Sequence, residues 1–200
     1  MNNKEVLIKI LLYLRKKGIN NDNVLFSIEK IPPHYFLNLL GSYNNTPKLD
    51  YEEIARLSKV LQEALYYKTK LSNILITELK LGWFCLISAL SAKRVYGLGI
   101  DEKKINDLEK VYRFLGLSNI FLKKSSNYND WNKVAPFDLI IHLETLNSVP
   151  KNFMEILSED GNIFFTKQNK KKVSIIRCNK SKKYHKVKIN EFFLSENKML

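Results

Sequence analysis

The stretch Leu71–Gly116 constrains this chain more than any other. An apolar run, Ile74–Leu79, leads through a short turn into a helix-like segment, Trp83–Leu90, and a second apolar run, Val95–Ile100, follows. Strand, helix and strand within about thirty residues make a βαβ unit, the building block of parallel sheets. In such sheets a nucleotide-like cofactor approaches the backbone at the turn after the first strand. Here that turn reads Glu78-Leu79-Lys80-Leu81-Gly82. It holds a single glycine, where cofactor-binding turns carry two or three.

The flanking segments extend the same alternation. Apolar positions 7, 10, 11 and 14 in Glu5–Lys17 recur at helical spacing, and Gly18 suits a helix terminator. Asp22 is placed to cap a second helix, with Leu25 and Ile28 on one face and Pro32-Pro33 ending it. His34–Lys48, rich in Gly, Ser, Asn and Pro, reads as a loop. Asp50 with Glu53 resembles a capping box ahead of Ile54, Leu57, Leu61 and Leu65.

Beyond the βαβ unit, Asp101 caps a helix with the stripe Ile105, Leu108, Tyr112 and Leu115, closed by Gly116. Asn119–Lys124 reads as a short strand. Leu139–Leu143 reads as a central strand, and Pro150 opens a helix that runs to Leu157. Asp160-Gly161 reads as a turn into the strand Asn162–Thr166, and Val173–Cys178 with Val187–Phe193 as an antiparallel hairpin. The expected fold is α/β: a Rossmann-like, doubly wound, mostly parallel seven-stranded sheet with a C-terminal antiparallel hairpin and N-terminal helices. We read 1–200 as a single domain, with helices over 1–66, the core over 71–166 and a basic hairpin over 167–200.

Charge is concentrated in that last part. Ten Lys and Arg residues and no acid lie between Lys167 and Lys188, so the remaining residues carry only +3 of the net +13. The run raises nucleic acid as a partner, with Tyr184 and His185 available for stacking. The plainer reading is a solvated edge strand that resists sheet-to-sheet aggregation. No apolar run is long enough to span a bilayer. The candidate Val6–Leu14 is interrupted by Lys9 and followed, rather than preceded, by its basic cluster, so we expect a cytoplasmic location. Cys85 and Cys178 are too far apart in sequence to suggest a disulfide framework.

Several motifs resemble the protein-L-isoaspartate O-methyltransferases. From Leu14, LRKKGINNDNVLFSIEKIPPHYFL is similar to that family's opening. There, Leu-Arg-x-x-Gly-Ile precedes a helix and a Val-Pro-Arg-x-x-Phe element. Ile31-Pro32-Pro33-His34-Tyr35-Phe36 fits the element except at the arginine. Ala135-Pro136-Phe137-Asp138-Leu139-Ile140-Ile141 matches Ala-Pro-Phe-Asp-x-Ile-Ile. Val149-Pro150, Leu157 and Asp160-Gly161-Asn162-Ile163 keep the spacing of Ile-Pro … Leu … Gly-Gly-x-Leu. The resemblance implies a class I methyltransferase that passes a methyl group from S-adenosylmethionine to the abnormal carboxylate of damaged Asp or Asn sites in proteins or peptides.

The family's functional positions map poorly. In this register its three turn glycines fall on Glu78, Lys80 and Gly82, and the acid before them on Ile76. Its ribose-gripping acid falls on Gly99, and its Gly-Asp-Gly on Ser125-Ser126-Asn127. The Thr-Ile-Ser-Gln-Pro substrate loop has no counterpart between Phe36 and Ser58. Gly82 is thus the one cofactor-binding residue that the resemblance carries over, and no catalytic residue maps. We expect donor binding to be lost or severely weakened, and we weigh a non-catalytic binding module against an isoaspartyl methyltransferase.

Two further groups carry chemistry. His142 and Glu144 stand at the end of the central strand, either as a base pair or as a strand-end histidine with a solvated glutamate. No nearby cysteine or second histidine supports zinc. Cys85 lies on the apolar side of a short helix and reads as core.

Overall fold

Apolar spacing sets the N-terminal third. The computed structural model describes residues 3–41, 50–68, 70–79, 82–169, 172–180 and 185–193, with side chains left aside at 143, 169 and 185–193. Helices span Asn3–Lys16 (α1), Asp22–Lys30 (α2), Pro33–Gly41 (α3) and Tyr51–Tyr67 (α4). Gly18 closes α1 at φ +80, with Ile19 N–H donating to Leu14 O.

The cap of α2 is Asn21 rather than Asp22. Gln62 of α4 accepts hydrogen bonds from the backbone N–H groups of Asn20 and Asn21, at 2.8 and 3.0 Å. That holds Asn21 extended, so its side chain takes the Val24 N–H. His34–Gly41 is helical, not a loop. Pro33 fits a first helical turn, and Phe36, Leu37 and Leu40 bury one face, which outweighs the composition of the stretch. The remainder of the expected loop, 42–49, lies outside the described residues. Asp50 caps α4 through the N–H groups of Glu52 and Glu53, while the Glu53 carboxylate turns forward to Arg56 at 3.3 Å.

The alternating part follows: Leu71–Thr77 (β1), Trp83–Ala89 (α5), Ala92–Gly99 (β2), Glu102–Phe114 (α6) and Ile120–Lys124 (β3). After a 3₁₀ helix over Tyr128–Val134 come Phe137–Thr145 (β4), Lys151–Ile156 (α7), Leu157–Asn169 (β5), Lys172–Asn179 (β6) and His185–Phe193 (β7). The seven strands form one sheet in the order β3-β2-β1-β4-β5-β6-β7. Pairs up to β4–β5 are parallel, and β5–β6 and β6–β7 are antiparallel. This is the Rossmann-like sheet with an antiparallel edge that the alternation implied.

Asp160-Gly161 is not a separate turn. It lies inside β5, where the pairing jumps from Phe137↔Leu157 to Leu139↔Asn162, so the extra residues are absorbed as an irregularity within the strand. The expected polar connection between β6 and β7 falls largely on 181–184, outside the described residues.

Each face of the sheet has its own core. On one, Ile74, Ile76, Val95, Leu139, Ile141 and Phe164 pack under the N-terminal helices, α5 and α6. On the other, Leu75, Tyr96, Leu98, Phe137 and Ile163 meet Phe153, Met154 and Ile156 of α7, flanked by Tyr128 and Trp131. Strands apolar on both faces are what a doubly covered parallel sheet requires. The Ala-Pro-Phe-Asp match serves this assembly. Phe137 is fully buried, and the Asp138 carboxylate accepts from Ser72 N–H at 2.6 Å and from Lys68 Nζ at 2.7 Å, tying the start of β4 to that of β1.

Candidate functional site

Strand order reverses between β1 and β4, and in open α/β sheets ligands bind outside the carboxyl ends of the strands at such a point. Three strand ends define the site here: Thr77-Glu78 after β1, Gly97–Gly99 on β2, and His142–Thr145 on β4. The β1 turn folds tightly back over β2. Leu79 N–H donates to Leu98 O at 3.1 Å, and Ser125 N–H donates to Gly99 O at 2.9 Å from beyond β3. Lys80 and Leu81 lie outside the described residues.

Glu78 adopts φ +63, the left-handed region that favours glycine. For a residue with a Cβ this conformation costs about 1–2 kcal/mol. The turn therefore keeps a glycine's backbone at this position while carrying a carboxylate. Gly82, at φ +78, sits immediately before α5, with no side chain to cap it. Its surroundings are filled. A Cβ built there would overlap Leu108 Cδ2 and come within 2.8 Å of Leu108 Cδ1 and of the Tyr112 hydroxyl. Tyr112 in turn donates to Gly82 O at 2.9 Å. Burial raises the Tyr112 phenol well above its usual range and pushes the Cys85 thiol up to about 12, so both are inert core groups near neutral pH. Cys85 is a small core residue, as its helical spacing implied.

Over the end of β2 the filler is Leu79. A Cβ on Gly97 would lie 2.6 Å from Leu122 Cδ2 and 3.0 Å from Leu79 Cδ2, whereas one on Gly99 would be in ordinary contact with Leu79 Cδ1 at 3.4 Å. What remains of the cleft is a cavity of about 70 Å³, bounded by Glu78, Leu79, Gly99, Ile100, Asp101, Lys104, Ile105 and Leu108. Pockets for drug-sized ligands run to roughly 300–1,000 Å³. Among the described residues Leu79 and Leu108 line this cavity, and position 99, at the end of β2, carries a glycine rather than an acid. Asp101 is nearby, but its carboxylate is engaged as the α6 cap, accepting from Lys104 N–H at 3.1 Å.

The β4 side is polar. His142 is 3% exposed, and its Nδ1 lies 2.7 Å from Thr77 Oγ1 in a pair buried across β1 and β4. Tyr128 meets the imidazole edge to face with ring centres 5.8 Å apart, and lies tilted against the Phe153 ring at 4.8 Å. Burial first, and then the charges of Glu78 and Glu144, raise the Tyr128 phenol above its usual value. Glu144 is exposed, two residues beyond His142 on the same strand face. The arrangement is an interior histidine bonded to a hydroxyl, beside a rim of two carboxylates. That rim disfavours an anionic group at the strand ends.

Sequence reasoning placed Gly82, Leu108 and Tyr112 in these elements but missed Leu79 as the filler of the cleft and Lys104 as a lining residue. The signal for Leu79 was the apolar residue itself, inside a turn where close backbone approach calls for small ones. The signal for Lys104 was a cation in the first turn of a helix.

No family model matches the chain. It is 27% identical over 157 residues to protein-L-isoaspartate O-methyltransferase 2 of Shewanella sediminis, covering 75% of this chain and 64% of that protein. It is 26% identical over 155 residues to the protein-L-isoaspartate O-methyltransferase of Dictyoglomus turgidum, covering 74% of this chain and 70% of that one. The matched stretch thus spans about two thirds of these relatives' length. Among solved structures, a candidate protein-L-isoaspartate O-methyltransferase from Plasmodium falciparum, in complex with S-adenosyl-L-homocysteine, superposes with a TM-score of 0.66. That match covers 94% of this chain and 98% of the other at 14% identity. A second protein-L-isoaspartate O-methyltransferase gives a TM-score of 0.68 at 14% identity, over 87% of this chain and 60% of that one. At such identity the structural likeness speaks for the fold.

Proposed function

We propose that this chain, a relative of the protein-L-isoaspartate O-methyltransferases in sequence and of class I methyltransferase fold, has given up their methyl donor and acts as a non-catalytic binding module. One observation carries the reading: Leu79 lies over Gly97 and Gly99, where an adenosyl group would sit, and leaves a cavity of about 70 Å³. Isoaspartyl methyl transfer from S-adenosylmethionine is the activity its relatives' names imply, and it is the reading against which ours is set. In our reading Gly82 serves packing rather than the cofactor, and 1–200 acts as one cytoplasmic domain. The partner is an anionic surface, nucleic acid or acidic protein, met by the basic run Lys167–Lys188.

A methyl-transfer assay with labelled S-adenosylmethionine and an isoaspartyl peptide tests it, with a genuine family enzyme as positive control. The expected rate equals the no-enzyme blank. A rate within about a hundredfold of the control, equivalent to less than about 3 kcal/mol of lost transition-state stabilisation, would return the chain to the working enzymes.

A further inference from the structure

At the amino end of the sheet, opposite the cleft, α4 ends on two tyrosines that packing does not account for. Tyr66 and Tyr67 are 78% and 48% exposed, with ring centres 5.1 Å apart and planes at 80°. Behind them stands Arg177 of β6. The strand register sets it opposite Phe164 of β5, on the face that meets the N-terminal helices. Phe164 and Ile175 complete the core there, whereas position 177 brings a charge.

The Arg177 guanidinium lies over the Tyr67 ring, 3.9 Å from its centre, as a cation on an aromatic face. Arg177 is only 9% exposed, its Nε is buried without a hydrogen-bond partner, and no carboxylate reaches the guanidinium among the described residues. Burying a charge without a counter-ion is costly, so the site calls for an anion.

The ground around it is basic. Lys70 leads from α4 into β1, and Lys93 and Arg94 open β2, which pairs with β1 from Leu71↔Ala92; all three side chains are exposed. Of the acids at this end, Asp138 accepts from Lys68 and from Ser72 N–H, and Glu159 pairs with Lys180 at 3.0 Å. Arg177 itself belongs to the run Lys167–Lys188, with its ten cations and no acid.

Charge alone would suit an acidic protein as well as nucleic acid, and the aromatic pair separates the two. A carboxylate side chain has no flat face to lay on an open tyrosine ring, whereas every base has one. A duplex keeps those faces inside its own stack. We infer that this edge binds single-stranded nucleic acid, with a base stacked on Tyr66 and phosphates held by Arg177, Lys70, Lys93 and Arg94. Tyr67, set between Arg177 and Tyr66, positions the platform. Four neutralised phosphates imply that affinity falls about fiftyfold between about 50 and 200 mM salt.

The inference rests on the binding-module reading and narrows its partner. Fluorescence anisotropy of the full chain tests it with labelled oligothymidine of about twelve nucleotides. An abasic strand of the same length, the matching duplex and polyglutamate of equal charge serve as comparisons. Oligothymidine is expected to bind tightest, with the salt dependence above. Tyr66→Ala, on an exposed side chain, is expected to weaken it about fivefold or more, the lower end of what one stacked base contributes. Tyr66→Phe keeps the ring and is expected to bind as the unaltered chain does, while the abasic strand is indifferent to both changes. An unchanged affinity in Tyr66→Ala, or abasic strand or duplex bound as tightly as oligothymidine, overturns the inference. Polyglutamate bound in place of oligothymidine also overturns it, yet leaves the chain a binding module; methyl transfer at the control enzyme's rate removes that reading instead.

Discussion

Replacing Gly82 by alanine is expected to destabilise the chain by about 2–5 kcal/mol, measured by urea denaturation. Two costs combine. At φ +78 the backbone conformation costs an L-residue about 1–2 kcal/mol. The added methyl also collides with Leu108 and the Tyr112 hydroxyl, and forcing a carbon into a filled core costs about 1–3 kcal/mol. Gly18→Ala and Gly116→Ala are the internal comparison. Both positions have positive φ, at +80 and +72, and nothing within 4 Å of a built Cβ, so each is expected to incur the first cost alone, about 1–2 kcal/mol. Were Gly82 kept only for a cofactor's approach, all three would destabilise alike.

Leu108→Ala is the second large effect, expected at about 2–5 kcal/mol because the side chain is fully buried and its loss leaves a cavity. The two changes are coupled. Once Leu108 is truncated, the methyl introduced by Gly82→Ala loses its nearest clash and keeps only that with the Tyr112 hydroxyl, so the double variant is expected to fall short of the sum of the singles by about 1–2 kcal/mol. The enlarged cleft is not expected to gain donor affinity. Space is then available, but Gly99 still offers no carboxylate to the ribose, and Glu78 still sets a like charge against the donor's own carboxylate.

The mostly parallel sheet and its antiparallel edge were legible in the sequence, although the strand order was not. Ile74–Ile76 and Leu139–Ile141 are unbroken apolar runs, and Asp50, Asp101, Gly18 and Gly116 mark helix ends where the structure uses them. The helix over Pro33–Gly41 was not, because the Gly, Ser, Asn and Pro of 41–47 dominate the composition of the stretch and mask the buried Pro33, Phe36, Leu37 and Leu40. Asn21 and Asp22 are equal as caps by type; Gln62, forty-one residues away, decides between them.

The site divides in the same way. Absence of two turn glycines is visible at Glu78 and Lys80, and of the ribose-gripping acid at Gly99, since identity alone shows which contacts are missing. What replaced them is not visible. A leucine at 79 reads the same whether it faces a ligand or another strand's glycines, and the influence of the Glu53 charge on Lys104 comes from α4, an element distant in sequence. Helical spacing places Lys104 only one position off the buried stripe of Ile105 and Leu108.

Isothermal titration of the full chain with S-adenosylhomocysteine bears most directly on whether this scaffold still holds a methyl donor. Each missing hydrogen bond to a charged partner is worth about 1.5–3 kcal/mol, and two or three of them move a micromolar site to about millimolar or weaker. The expected titration shows no saturable heat up to about 1 mM ligand, and a saturable curve with a micromolar Kd would contradict the filled cleft.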